Sequence, residues 1–126
     1  MPDTYSEIVL DHFSNPRNVG VLLDSDGDAR VENPVNGATL ELYLNIAEGR
    51  INQSAFKSLG CTATIAAGSM VTELINGQTV QDAGAITRFD IEAALGGLPP
   101  TRKHAASLAE DAIRAAIANY QARVVG

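Results

Sequence analysis

Few side chains in this sequence can hold a metal, take up sulfur or act as a nucleophile, and Cys61 heads them. It is the only cysteine in the chain, it follows Gly60, and it stands just before Ala63, where a helical stripe of apolar residues begins. A thiol at a helix N-terminus faces backbone N–H groups and the positive end of the helix dipole, which favours thiolate. Such a thiolate suits a metal ligand or a sulfur acceptor, whereas the commoner fate of a lone cysteine is a small buried hydrophobe. His104, just after Pro99-Pro100 near the start of the last helix, reads either as a ligand or as a surface or helix-capping histidine. His12 sits beside Asp11 on the first helix and has no partner at metal-ligand spacing, so it reads as structural.

Other chemistries find no support. No glycine pattern of a nucleophile elbow surrounds a serine, and no phosphate- or dinucleotide-binding glycine loop is present, so the chain reads as a protein without enzymatic activity. The run Asp24-Ser25-Asp26-Gly27-Asp28 has calcium-loop residue types in the wrong order, with no closing glutamate, and reads as a solvated turn. A single cysteine excludes an internal disulfide, a zinc ribbon and a four-cysteine cluster site within one chain. Nine Lys plus Arg against fifteen Asp plus Glu give a net charge of −6 with no basic block, which argues against nucleic acid as a partner. No apolar run approaches the ~18 residues of a membrane span. The start Met1-Pro2-Asp3 is acidic rather than basic, unlike a signal peptide, and an unpaired thiol fits a reducing compartment. A cytoplasmic protein that does not enter membranes is the expectation.

The elements that must position these residues follow from hydrophobic period. At 126 residues the chain has room for one domain, residues 1–126, with one core. A first helix is expected over 4–14, opened by the capping box Thr4-x-x-Glu7, with Tyr5, Ile8, Val9 and Phe13 on one face and Asn15-Pro16 ending it. Leu40, Leu42, Leu44 and Ile46 alternate with polar or amphipathic residues over 39–46, the signature of a strand with one buried face. Ala47-Glu48-Gly49-Arg50 turns that strand into another beginning at Ile51, and residues 29–35 supply a third. Connections this short require antiparallel pairing.

Beyond Gly60 the period becomes helical. Ala63, Ala66, Ala67, Met70, Val71 and Leu74 form one stripe, closed by Asn76-Gly77. Short helices are expected at 80–84 and 90–95, the second capped by Asp90. The last helix, starting at either Thr101 or Ser107, runs to about Tyr120 with Leu108, Ala112, Ile113, Ala116, Ile117 and Tyr120 on one face. Strands grouped first and helices second indicate an α+β fold, a small antiparallel sheet of about three strands packed against helices. Between the last two helices, Leu98-Pro99-Pro100-Thr101-Arg102 is a pre-ordered segment that either recruits a partner at low entropic cost or merely sets a turn.

Three segments together resemble the N-terminal domain of NifU and IscU, the iron–sulfur cluster assembly scaffolds. Residues 5–20 (YSEIVLDHFSNPRNVG) resemble that family's opening helix and Asn-Pro-Arg-Asn turn, residues 60–78 its second cysteine segment, and residues 98–120 its closing Leu-Pro-Pro, histidine and Leu-Ala-Glu-Asp-Ala-Ile segment. The likeness covers nearly the whole chain. At the family's ligand positions the sequence departs from the pattern. Asn33-Pro34-Val35-Asn36-Gly37-Ala38 stands where the family has Asn-Pro-x-Cys-Gly-Asp, so Asn36 replaces a cysteine and Ala38 an aspartate. Ala105 stands where a third cysteine would follow the histidine.

The resemblance implies a scaffold-family protein that binds iron, sulfur or a [2Fe–2S] cluster at a reduced site centred on Cys61 and His104, with Asn36 at the position of the first ligand. A neutral amide is a poor substitute for a thiolate, so one chain offers two good ligands, and a symmetric homodimer would offer them twice. Two other readings stay open: a zinc or iron site of Cys61 and His104 alone, or a paralogue that holds no cofactor stably and regulates assembly by binding the scaffold's partners. Those partners, by resemblance, are a cysteine desulfurase and a heat-shock-type chaperone. The chaperone would be met through Leu98, Pro99, Pro100 and Arg102, which resemble the family's Leu-Pro-Pro-Val-Lys segment.

Overall fold

A computed structural model describes residues 4–125; the acidic start Met1-Pro2-Asp3 lies outside the described residues. The chain runs α1 (Glu7–Ser14), β1 (Gly27–Glu32), β2 (Thr39–Ala47), β3 (Arg50–Leu59), α2 (Thr62–Ile75), α3 (Val80–Gly84), α4 (Arg88–Ala94), a 3-10 turn (Pro100–Arg102) and α5 (His104–Val125). The strands form one antiparallel sheet in the order β1-β2-β3. This is the expected α+β architecture of a small three-stranded sheet against helices.

Period 2 in β2 sends Leu40, Leu42 and Leu44 into the core, where none is more than 1% exposed, while Glu41, Tyr43 and Asn45 lie on the other face. Burying each leucine contributes about 1.5–3 kcal/mol. Phe56 of β3 joins them, and α2 and α5 cover this face with alanine-rich surfaces, including Ala66, Ala67, Ala109 and Ala116. Small residues let the layers approach closely. A Cβ at Gly68 of α2 would lie 2.5 Å from the Phe56 ring, and one at Gly27 of β1 would lie 2.7 Å from the Ala116 carbonyl oxygen of α5. The β2–β3 hairpin closes through Glu48 and Gly49, both at positive φ, as a two-residue turn between right-twisted strands requires.

Several boundaries differ from the expectation, each for a local reason. The first helix starts at Glu7 instead of residue 4, because the Ser6 hydroxyl accepts the Val9 N–H at 3.0 Å and donates to the Leu95 carbonyl, so Ser6 is the cap and not Thr4. Its buried face is Val9 and His12, whereas Ile8 and Phe13 remain 43% and 42% exposed. The first strand is 27–32 rather than 29–35. Asn33 and Asn36 turn the chain there, their side-chain oxygens accepting the N–H groups of Val35 and Ala38 at 2.9 Å each. Thr87 caps α4 and Asp90 completes the capping box from inside the helix, so α4 begins two residues before the expected Asp90 cap. The last helix begins at His104, after the 3-10 turn that Pro99-Pro100 sets up, and continues past Tyr120 to Val125. The C-cap of α2 at Asn76-Gly77 and the limits of α3 match the expectation.

Candidate functional site

Three junctions meet at one end of the sheet. The β1–β2 loop supplies Asn36 and Ala38, the passage from β3 into α2 supplies Gly60 and Cys61, and the 3-10 turn leading into α5 supplies Arg102 and His104. These six residues line one cleft of about 270 Å³. Residues up to 68 positions apart in sequence are gathered because the antiparallel sheet returns β1 and β3 to the same end, and α5 packs back across β1 and β2.

Cys61 is the N-cap of α2 and is half-buried. Its sulfur lies 3.5 Å from the Thr64 hydroxyl. Burial pushes the thiol up. The Thr64 hydroxyl, the backbone N–H groups of Thr64 and Ala63, and the Arg102 charge together outweigh that, and the thiol sits below its ordinary value. No capping hydrogen bond is formed by the sulfur itself, so the helix N-terminus acts here as a set of nearby dipoles. Arg102 is held over the cleft partly by its Nε–H, which donates to the Tyr5 hydroxyl at 3.2 Å. The sequence assigned Arg102 to a partner segment. Its effect on Cys61, 41 positions away in the chain, had no local signal there.

His104 opens α5 and borders three clefts. Besides the one with Cys61, it faces Glu32 and Asp111 across a cleft of about 230 Å³, and Arg88, Phe89 and Lys103 across one of about 220 Å³. Among the described residues, no three His, Cys, Asp or Glu side chains are arranged to hold a metal ion. The carboxylates beside His104 therefore do not complete a ligand set with Cys61.

The remaining sequence-selected residues fall as follows. Asn36 lines the cleft, yet its side-chain oxygen is already engaged by the Ala38 N–H. Ala105 is buried and does not line the cleft. In the Leu98–Arg102 segment, Leu98 is part of the core, Pro99 is half-buried, and Pro100 with Thr101 is exposed. His12 is structural: it is buried between α1 and α2, with Nδ1 at 2.7 Å from the Ser69 hydroxyl and Nε2 at 3.2 Å from Glu73.

The chain is similar to known proteins in sequence and in fold. Residues 4–125 match the family described as the NifU-like N terminal domain. An iron–sulfur cluster assembly scaffold protein IscU from Archaeoglobus fulgidus is 47% identical over 116 residues, covering 92% of this chain and 76% of the relative. IscU from Escherichia coli K12 is 43% identical over 123 residues, covering 94% of this chain and 95% of the relative. Among solved structures, the N-terminal NifU-like protein from Brucella abortus superimposes with a TM-score of 0.75 at 19% identity, over 94% of each chain. An iron–sulfur cluster assembly scaffold protein of the SUF system from Fervidobacterium islandicum gives the same score at 20% identity, over 90% of this chain and 96% of its own. At these identities the structural likeness speaks for the fold.

Proposed function

The chain belongs to the NifU-like N-terminal domain family, and from that premise we propose how it serves iron–sulfur cluster assembly: as a carrier whose reactive centre is the cleft between Cys61 and His104. The protein holds iron, sulfur or a cluster as cargo and passes it on, without a catalytic cycle of its own. The observation that carries this reading is that the one thiol in the chain and a histidine line the same cleft, with a guanidinium beside them that favours thiolate.

Cys61 takes the leading role. As thiolate it is a soft ligand for iron and a nucleophile toward sulfane sulfur. His104 is the second ligand, neutral when it binds metal. Arg102 holds negative charge at the sulfur and Asn36 contributes amide N–H groups to the wall of the cleft, since its oxygen is occupied. Sulfur comes from a cysteine desulfurase, and the exposed Pro100-Thr101 edge of the Leu98–Arg102 segment meets a heat-shock-type chaperone, both in the cytoplasm. Among the described residues no helix is long and apolar enough to cross a membrane.

A second reading is favoured by a specific observation: only two side chains lining the cleft are good ligands, where a cluster needs four. On this reading the chain occupies the desulfurase or chaperone and regulates assembly without carrying a cluster. Anaerobic reconstitution with iron and sulfide separates the two. A thiolate-to-iron absorption band that disappears in Cys61→Ser supports the carrier. A colourless, iron-free protein that still binds the desulfurase favours the regulator, and zinc lost equally in Cys61→Ser and His104→Ala marks a plain metal site.

A further inference from the structure

The first turn of α4 presents an aromatic ring to solvent on a rigid support. Phe89 is 68% exposed, and the Arg88 guanidinium lies over its ring, 4.8 Å from the centroid. The backbone beneath the pair is fixed from three sides. The Arg88 N–H donates to the buried Glu110 carboxylate of α5 at 3.2 Å, Thr87 and Asp90 close the capping box, and Ile91 is fully buried in the core. Side chains held this way lose little further freedom when a partner covers them, so binding has a low ordering cost. Beside the ring a cleft of about 220 Å³ opens between α4 and the start of α5, with Glu92, Lys103 and Ser107 on its walls.

Charge says what suits this surface. Arg17, Arg30, Lys103, Arg114 and Arg123 each have a carboxylate within ion-pair distance. The Arg88 guanidinium has none among the described residues. The carboxylates around it are already engaged: Asp90 by the Thr87 N–H and hydroxyl, Glu92 by Lys103, and Glu110 by Arg114 and the Arg88 N–H. An unneutralised cation thus stands on an exposed ring, in a chain whose net charge is −6. Arginine and aromatic side chains are the residue types that anchor protein interfaces.

We propose that the Arg88–Phe89 face of α4 docks an acidic segment of a partner protein, one that sets a carboxylate on Arg88 and an apolar side chain against Phe89. Stacking leaves the N–H edge of the guanidinium pointing away from the ring, and a carboxylate takes that edge with two hydrogen bonds. The apolar neighbour removes the ring from water. The surface is separate from the Leu98–Arg102 segment and from the cargo cleft, and it serves the chain whether or not iron is held.

The test is nitrogen-15 NMR of the full chain titrated with a synthetic peptide in which a leucine is flanked by glutamates. A twin peptide with glutamine for every glutamate is the control. The expected result is shift changes confined to α4 and the first turn of α5, centred on Arg88 and Phe89, that fade as salt is raised. Arg88→Ala and Phe89→Ala should each weaken binding by about fivefold or more. Both positions are exposed and the Arg88 N–H is kept, so the circular dichroism of each variant should match the parent. Arg88→Lys keeps the charge and loses the fork, and should restore binding only in part. No shift at millimolar peptide overturns the proposal, as does equal binding of the glutamine twin or binding that survives Arg88→Ala. If concentrating the chain alone moves the same resonances, the occupant is a second copy and the partner proposal falls. No iron enters the experiment, so its failure leaves the carrier reading untouched.

Discussion

The sulfur of Cys61 and the hydroxyl of Thr64 lie 3.5 Å apart, one turn of α2 from each other, with Thr64 buried and Cys61 half-buried. Burial alone would raise this thiol; Thr64, the first N–H groups of α2 and Arg102 reverse the direction. Thr64→Val removes the hydroxyl while keeping the branched shape, so the thiol should move up and its alkylation profile should shift to higher pH. Arg102→Ala should shift it the same way, and Arg102→Lys should retain part of the effect. The measurement is iodoacetamide reactivity against pH, with thiolate absorbance as a second readout. An unchanged profile in both Thr64→Val and Arg102→Ala would mean the thiol is set by burial and the helix alone. Neither change should cost more than about 1–2 kcal/mol of stability.

His12 gives the fold a pH dependence of known sign. Burial pushes its imidazolium below the ordinary value, Arg17 pushes the same way, and Glu73 and Asp11 offset this in part. The neutral ring accepts from Ser69 at Nδ1 and donates to Glu73 at Nε2, the tautomer that the network assigns, since Ser69 also accepts the Arg17 N–H at 2.9 Å. The unfolded chain therefore binds a proton more readily than the folded one. Stability from this group is full above about pH 6.5. It declines as pH falls toward the lower folded value, then levels off. Urea unfolding between pH 8 and 5 should show that decline, and His12→Ala should flatten it while costing about 2–4 kcal/mol through lost packing and an unpaired Ser69 hydroxyl. A slope that survives His12→Ala would assign it to other groups.

Gly68 tests the close approach that seats α2 on the sheet. A methyl there would meet the Phe56 ring at 2.5 Å and Leu40 at 2.9 Å, both buried side chains with little room to turn. Helix propensity alone favours alanine over glycine by about 1 kcal/mol. Overpacking should outweigh it, so Gly68→Ala is expected to destabilise by about 1–3 kcal/mol in thermal melts. A gain in stability would show that Phe56 yields.

Period and punctuation made most of the fold legible. The alternation of Leu40, Leu42 and Leu44, the Gly49 turn and the Asn76-Gly77 stop are local signals, and the elements they announce are present. What failed was competition between neighbouring caps. Ser6 prevails over Thr4 because Leu95, 89 residues away, accepts its hydroxyl, and Thr87 prevails over Asp90 because the two act as a pair. The same limit applied to the cleft. Cys61 and His104 were visible by residue type, whereas the action of Arg102 on the thiol and the ties of His12 to Ser69 and Glu73 depend on helix packing that no local spacing encodes.

Asn36 and Ala38 provide the most direct control over loading, since both line the cleft and neither offers a free donor atom for iron. Asn36→Cys adds a thiol to the cleft that Cys61 lines, and Ala38→Asp adds a carboxylate to the same cleft, raising the donors in one chain from two to four. Losing the hydrogen bond from the Ala38 N–H to the Asn36 side chain should loosen the β1–β2 loop by about 0.5–1.5 kcal/mol, read from urea unfolding of the empty protein. After anaerobic loading, the double variant should retain more iron per chain through gel filtration than the unaltered protein, because two more donors line the cleft. Cys61→Ser added to the double variant should reverse that gain. If the double variant holds no more iron than the parent, the β1–β2 loop does not aim its side chains at the metal, and the two-donor cleft is then not limited by ligand count.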